Sequence, residues 1–156
     1  MNAQHNHVAA RTRIKICGIT RSQDAMAAAN VGVDAIGLVF TPRSKRHVSI
    51  EQALAVCEVL PPFITKVALF MDQDRDEVQR ILDQVPIDYL QFHGAETADF
   101  CQQFQRPFLK ALAMGGASAQ EVAEQLPAWR AASARLFDAH AAGESGGKGE
   151  VFDWSL

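Results

Sequence analysis

Cys17, Arg46, His93 and Asp138 combine a chemically capable side chain with a place at, or just beyond, the end of an apolar run. Cys17 closes the run in "KICGIT" and Gly18 begins the turn out of it. A cysteine there could be a nucleophile or a proton-transfer group. It could equally be a small buried hydrophobe, since free cysteine is among the most buried residue types. Lys15 and Arg21 are close enough in sequence to favour a thiolate, or Lys15 could point away by strand alternation. His93 follows the run in "LQFHGAE", where an acid, a base, a hydrogen-bond donor or a structural strand cap would all fit. Gln91 shares its parity and is expected to fill the interior.

Asp138 ends "LFD", and a carboxylate there could cap a turn. It could also act as a general acid if burial raised its pKa. Arg46 lies in "FTPRSKRHVS" with Arg43 and Lys45. An arginine at this edge suits an anionic ligand, because its guanidinium grips a carboxylate or phosphate with two parallel hydrogen bonds. Arg43 and Lys45 read as solvated loop, and His140 as loop surface. The later "SGGKG" could cradle a phosphate through backbone N–H groups or serve as a mobile lid. It does not contain the GxxxxGK[ST] pattern of a P-loop. No spacing joins the cysteine, histidine and aspartate into a triad. The residues alone imply a small anionic ligand held at strand C-termini.

The elements that must place these residues alternate steadily. Apolar, β-branched runs occur at 13–19, 34–40, 66–72, 89–94, 108–114 and 135–139, with helical spacing between them. Ser22 and Ser49 are candidate helix caps, Gly32 a stop, and Pro61-Pro62 a terminator. The runs are near-continuously apolar, as in a parallel sheet covered by helices. Six βα-type repeats fit α/β architecture. A chain of 156 residues suits a doubly wound open sheet, whereas a (β/α)₈ barrel usually needs about 200 residues or more.

Composition narrows the function. A net charge of −3 argues against a nucleic-acid or membrane-surface partner, which would call for a basic excess. No apolar run reaches membrane-spanning length. The first residues, "MNAQHNHVAARTR", lack the apolar segment of a secretory signal, and residues 1–12 are expected to form a mobile extension in which His5 and His7 are solvated. Cys17, Cys57 and Cys101 are odd in number and widely spaced, which implies reduced thiols in a cytoplasm. No metal-ligand spacing occurs.

Taken in order, "KICGIT", "DAIGLVF" with "PRSKRHVS", "VALFMD", "LQFHGAE", "LFDA" and "GGKGEVFDWSL" resemble the phosphoribosylanthranilate isomerase family, from Lys15 to Leu156. The resemblance implies a TIM barrel and overrides the open sheet. It implies an Amadori rearrangement of a phosphosugar–anthranilate substrate in tryptophan biosynthesis, with no metal or organic cofactor. It implies Cys17 as general base, Asp138 as general acid, and Arg46 and His93 as substrate-binding residues. Lys148 departs from the family's GG[ST]G loop. Family members also continue with strands seven and eight, so residues 13–156 are expected to form an incomplete barrel of about six βα units. Such a chain is expected to be aggregation-prone and weakly active. Two other readings stand beside the isomerase: an inactive or partner-completed barrel fragment, and another phosphosugar-binding barrel, against which the KICGIT cysteine argues.

Overall fold

The computed structural model describes residues 11–141. Six strands alternate with five helices: β1 Lys15–Cys17, α1 Ser22–Asn30, β2 Ala35–Val39, α2 Ile50–Val59, β3 Thr65–Phe70, α3 Arg75–Gln84, β4 Tyr89–Phe92, α4 Ala98–Gln102, β5 Phe108–Gly115, α5 Ala119–Gln125 and β6 Ala134–Ala141. A 3₁₀ turn, Leu126–Trp129, follows α5. Each expected apolar run holds one strand. His140 lies within β6, where the chain stays extended for three residues beyond Asp138, and so is not in a loop. The SGGKG segment, Lys148, His5 and His7 fall outside the described residues.

Strand order decides between the two architectures. The sheet runs β1-β2-β3-β4-β5-β6, and every neighbouring pair is parallel. A doubly wound sheet reverses its order at a switch point and carries helices on both faces. Sequential order combined with right-handed crossovers puts all helices on one face. That face forms the core. Ile36, Leu38, Phe70 and Phe92 pack there against helix residues such as Ala25, Ala53, Val56, Val78 and Ile81. Phe40, Phe70, Phe92 and Phe108, one on or just after each of β2 to β5, form a row with ring centroids 5.8–6.0 Å apart.

The other face rolls inward. Across a flat sheet the first and sixth strands would stand about 24 Å apart. Here Cys17 of β1 and Asp138 of β6 line one cavity. His93, just after β4, reaches Asp138 at 3.1 Å, although strands two places apart in a flat sheet would be separated by about 10 Å. The curvature is that of a TIM-barrel wall, and the rolled face carries the polar groups.

Local chemistry explains the helix starts. Ser49, Asp74, Thr97 and Ser118 each accept a backbone N–H from the first helical turn, and Ser49 and Ser118 complete capping boxes with Gln52 and Glu121. Ser22 is not a cap. Arg21 holds that position, and the Ser22 hydroxyl instead donates to the Ala55 carbonyl at 3.0 Å, tying α1 to α2. Gly32 ends α1 with its N–H on the Ala29 carbonyl. At the entry to β1, Asp34 accepts from Arg11, Arg13 and the Ile14 amide, and these donors hold its carboxyl far below the usual range. The cluster steers the chain into the strand that carries Cys17.

Candidate active site

The four candidate residues converge on one cavity of about 260 Å³, lined by Cys17, Arg46, His93 and Asp138 together with Lys15, Ser44 and Gln91. The four candidates lie at, or just beyond, the C-terminal ends of strands, the edge where α/β sheets bind ligands. Val39, Leu69, Met71 and Leu136 supply its apolar walls.

The loop after β2 is built to present Arg46. Two tight turns shape it, with the Ser44 N–H donating to the Thr41 carbonyl and the His47 N–H to the Ser44 carbonyl. The Arg46 N–H donates to the Ser44 hydroxyl at 3.1 Å. One guanidinium nitrogen, Nη1, donates to the Cys17 carbonyl at 2.9 Å. The rest of the stem lies across Gly18, at a spot that any Cβ there would occupy, and Gly18 has φ +86°. Glycine is therefore required twice over: for its left-handed backbone and for the arginine above it. Lys45 stays exposed and off this cavity, while Arg43 faces a neighbouring one beyond His93.

Cys17 depends on a second close approach. In the β1–β2 register it sits opposite Gly37. A Cβ on Gly37 would stand 2.8 Å from the Cys17 sulfur and 3.1 Å from its Cα. A glycine inside a strand often marks such an approach, and this is the signal that sequence reasoning passed over. Gly37→Ala is therefore expected to move the thiol, and any turnover that relies on Cys17 should fall about tenfold or more. A Gly37→Ala protein with unchanged kcat and an unshifted Cys17 in its crystal structure would contradict this.

The two other thiols make a useful contrast. Cys57 and Cys101 lie on α2 and α4, away from the cavity. Burial raises the pKa of both, that of Cys101 to about 12. Lys15 does not point away: two residues before Cys17 on the same strand, it shares the Cys17 face and lines the cavity. Arg21 does not support the thiol. It turns outward and pairs with Asp24 at 2.8 Å, three residues along α1.

His93 and Asp138 form the opposite wall. His93 Nε2 is 3.1 Å from Asp138 Oδ2, and the two side chains are 10% and 20% exposed. Gln91 Nε2 lies 3.3 Å from His93 Nδ1. Behind them is a buried ion pair absent from the sequence-level expectations. Lys110 on β5 meets Glu96 at 2.9 Å, with side chains 5% and 3% exposed, and also donates to the Gly94 carbonyl. The Glu96 carboxylate accepts from the Asp72 and Gly94 amides, joining the β3 and β4 loops. Lys110 also stands 5.1 Å over the Trp129 ring. This network holds the turn that follows His93.

Comparison with known proteins converges on one family. Residues 14–156 match the family described as N-(5'-phosphoribosyl)anthranilate isomerase. The chain belongs to the phosphoribosylanthranilate isomerase family. The N-(5'-phosphoribosyl)anthranilate isomerase of Stutzerimonas stutzeri is 51% identical over 144 residues, which is 92% of this chain and 69% of that protein. That of Azotobacter vinelandii is 50% identical over 147 residues, covering 94% of this chain and 70% of that one. The crystal structure of phosphoribosyl anthranilate isomerase from Thermotoga maritima superposes with a TM-score of 0.81 at 34% identity, covering 94% of this chain and 70% of that one. A crystal structure of phosphoribosyl anthranilate isomerase in complex with reduced 1-(o-carboxyphenylamino)-1-deoxyribulose 5-phosphate gives a TM-score of 0.75 at 32% identity, over 82% of this chain and 65% of that one. The family's fold is the TIM barrel, and its reaction is the isomerisation of N-(5'-phosphoribosyl)anthranilate in tryptophan biosynthesis. No helix among the described residues is long and apolar enough to cross a membrane.

Proposed function

We propose that this cavity binds N-(5'-phosphoribosyl)anthranilate and that Asp138 and Cys17 carry out its Amadori rearrangement as acid and base. The observation that carries this reading is the meeting of a first-strand thiol and a sixth-strand carboxyl in one small cavity beside an arginine. The product analogue bound in the family relative is a carboxyphenylamino sugar phosphate. The substrate of this chain is then a small anionic phosphosugar–anthranilate, and its free thiols suit the cytoplasm.

The proton movements balance without an external oxidant or reductant. Asp138 gives its proton to the ribose ring oxygen as the C1′–O bond breaks, and that oxygen keeps the bonding pair. The anthranilate nitrogen supplies its lone pair to C1′, forming an iminium. The Cys17 thiolate removes the proton from C2′. The freed electrons form a C1′=C2′ bond and return the nitrogen to neutrality. The enolamine then tautomerises to the ketone: C1′ gains a proton and the C2′ hydroxyl loses one. The iminium is the electron sink, which makes the reaction possible with side chains alone.

Arg46 faces the negative end of the substrate. Its Nη1 is committed to the Cys17 carbonyl, and its stem is seated on Gly18, so the guanidinium is held in place before a ligand arrives. Preorganised donors cost little reorganisation when charge develops. Arg46→Met is expected to raise KM by about ten- to a hundredfold, the range for a charge-assisted hydrogen bond worth about 1.5–3 kcal/mol. Arg46→Lys should restore little, because an ammonium cannot both hold the Cys17 carbonyl and fork to a carboxylate. An unchanged KM in Arg46→Met would remove Arg46 from the site.

The direct test is turnover of N-(5'-phosphoribosyl)anthranilate by the purified chain, compared with its Asp138→Asn form. Product formation that depends on Asp138 supports the reading. Equal rates in the two proteins, or no product from either, would overturn it.

A further inference from the structure

Gln91 is a polar side chain that packing alone does not explain. It is 2% exposed, and its register neighbours on the flanking strands are Leu69 and Leu109. A leucine or methionine would fill that space without burying an amide, so its polar atoms call for a chemical role. Those atoms reach the site. Gln91 Nε2 lies 3.3 Å from His93 Nδ1, and His93 Nε2 lies 3.1 Å from Asp138 Oδ2. The chain of contacts runs from a buried amide, through an imidazole, to the carboxyl proposed as general acid.

We propose that Gln91 is a positioning residue for the isomerisation: its amide donates to His93 Nδ1, fixes the ring as the neutral Nε2–H form, and thereby sets where Asp138 carries its proton. An amide NH₂ can only donate, so the nitrogen it faces must offer a lone pair. The single proton of a neutral imidazole then sits on Nε2 and points at Asp138 Oδ2. With Oδ2 engaged as an acceptor, the carboxyl proton resides on Oδ1, the oxygen not committed to the ring. The same amide opposes an imidazolium, which would need an acceptor at Nδ1. That matters because a cation beside Asp138 would favour its carboxylate and deprive the acid of its proton.

The inference rests on Asp138 being the acid, but its test reads the histidine directly. The full chain is labelled with ¹⁵N at its imidazoles, and the His93 signals are assigned by comparison with His93→Gln. Protonated and lone-pair ring nitrogens differ widely in ¹⁵N shift. The expected wild-type pattern near neutral pH is a protonated Nε2 and a bare Nδ1. Gln91→Glu places an acceptor at Nδ1, so the ring should become protonated on both nitrogens. Its kcat should fall about tenfold or more with KM within about threefold. Gln91→Met, close in volume and without donors, should lose the single-tautomer pattern, and it carries the test if Gln91→Glu does not fold. A wild-type ring protonated at Nδ1, alone or together with Nε2, overturns the proposal. So do Gln91 variants that leave the His93 signals unchanged. A failure of Asp138 as the acid would show separately, as normal turnover by Asp138→Asn with the His93 pattern intact.

Discussion

Replacing Asp138 with asparagine lowers kcat by about 10²- to 10⁴-fold, or about 3–5 kcal/mol of transition-state stabilisation. Asparagine has nearly the same shape and still presents an oxygen to His93 Nε2, so the wall of the cavity should persist. What it lacks is an acidic proton. Ring opening must then expel an unprotonated alkoxide or wait for water to protonate it, and the barrier rises accordingly. Affinity for the product analogue, which has already passed ring opening, should stay within a few-fold of wild type. The measurement is steady-state turnover paired with calorimetric binding of that analogue. A kcat within tenfold of wild type, with binding retained, would show that the proton comes from elsewhere. A parallel loss of binding and activity would point to Asp138 as a structural strand-end group instead.

Much of this arrangement is legible in the sequence, and the parts that are not share a physical cause. The strands stand where apolar runs are continuous, and Ser49 and Pro61-Pro62 bound α2 as their chemistry dictates. Cys17, Arg46, His93 and Asp138 could be singled out because each lies beside the end of an apolar run, and one cavity gathers them. Contacts between strands were hidden. That Gly37 makes room for the Cys17 sulfur depends on the β1–β2 register, which neither run reveals alone. That His93 touches Asp138 depends on the sheet being rolled. Lys110 and Glu96 read as ordinary charges because nothing local marks them as a buried pair. Length favoured an open sheet, because six βα units complete one but fall short of an eight-strand barrel. The order of the motifs pointed to the barrel, and the sequential strand order agrees with it. Arg21 shows the limit of sequence proximity: four residues from Cys17, it pairs along its own helix.

Cys17→Ser is expected to reduce kcat about 10²- to 10⁴-fold while leaving the fold and KM largely intact. The substitution exchanges one atom of similar size, so a cysteine that merely fills space would tolerate it. A base would not, because a thiol ionises near pH 8.5 whereas an aliphatic hydroxyl does not ionise in the working range. Two further readouts separate these roles. A substrate deuterated at C2′ should show a larger isotope effect in Cys17→Ser than in wild type, since proton removal becomes the slow step. Alkylation near pH 8 should abolish activity in step with labelling of Cys17. Cys57 and Cys101 should react later, because burial raises their pKa and keeps them protonated. Full activity in Cys17→Ser, or in protein alkylated at Cys17, would return this residue to the buried-hydrophobe reading. The C2′ proton would then need another acceptor, and Lys15, on the same face of β1 and lining the same cavity, is the next group to replace.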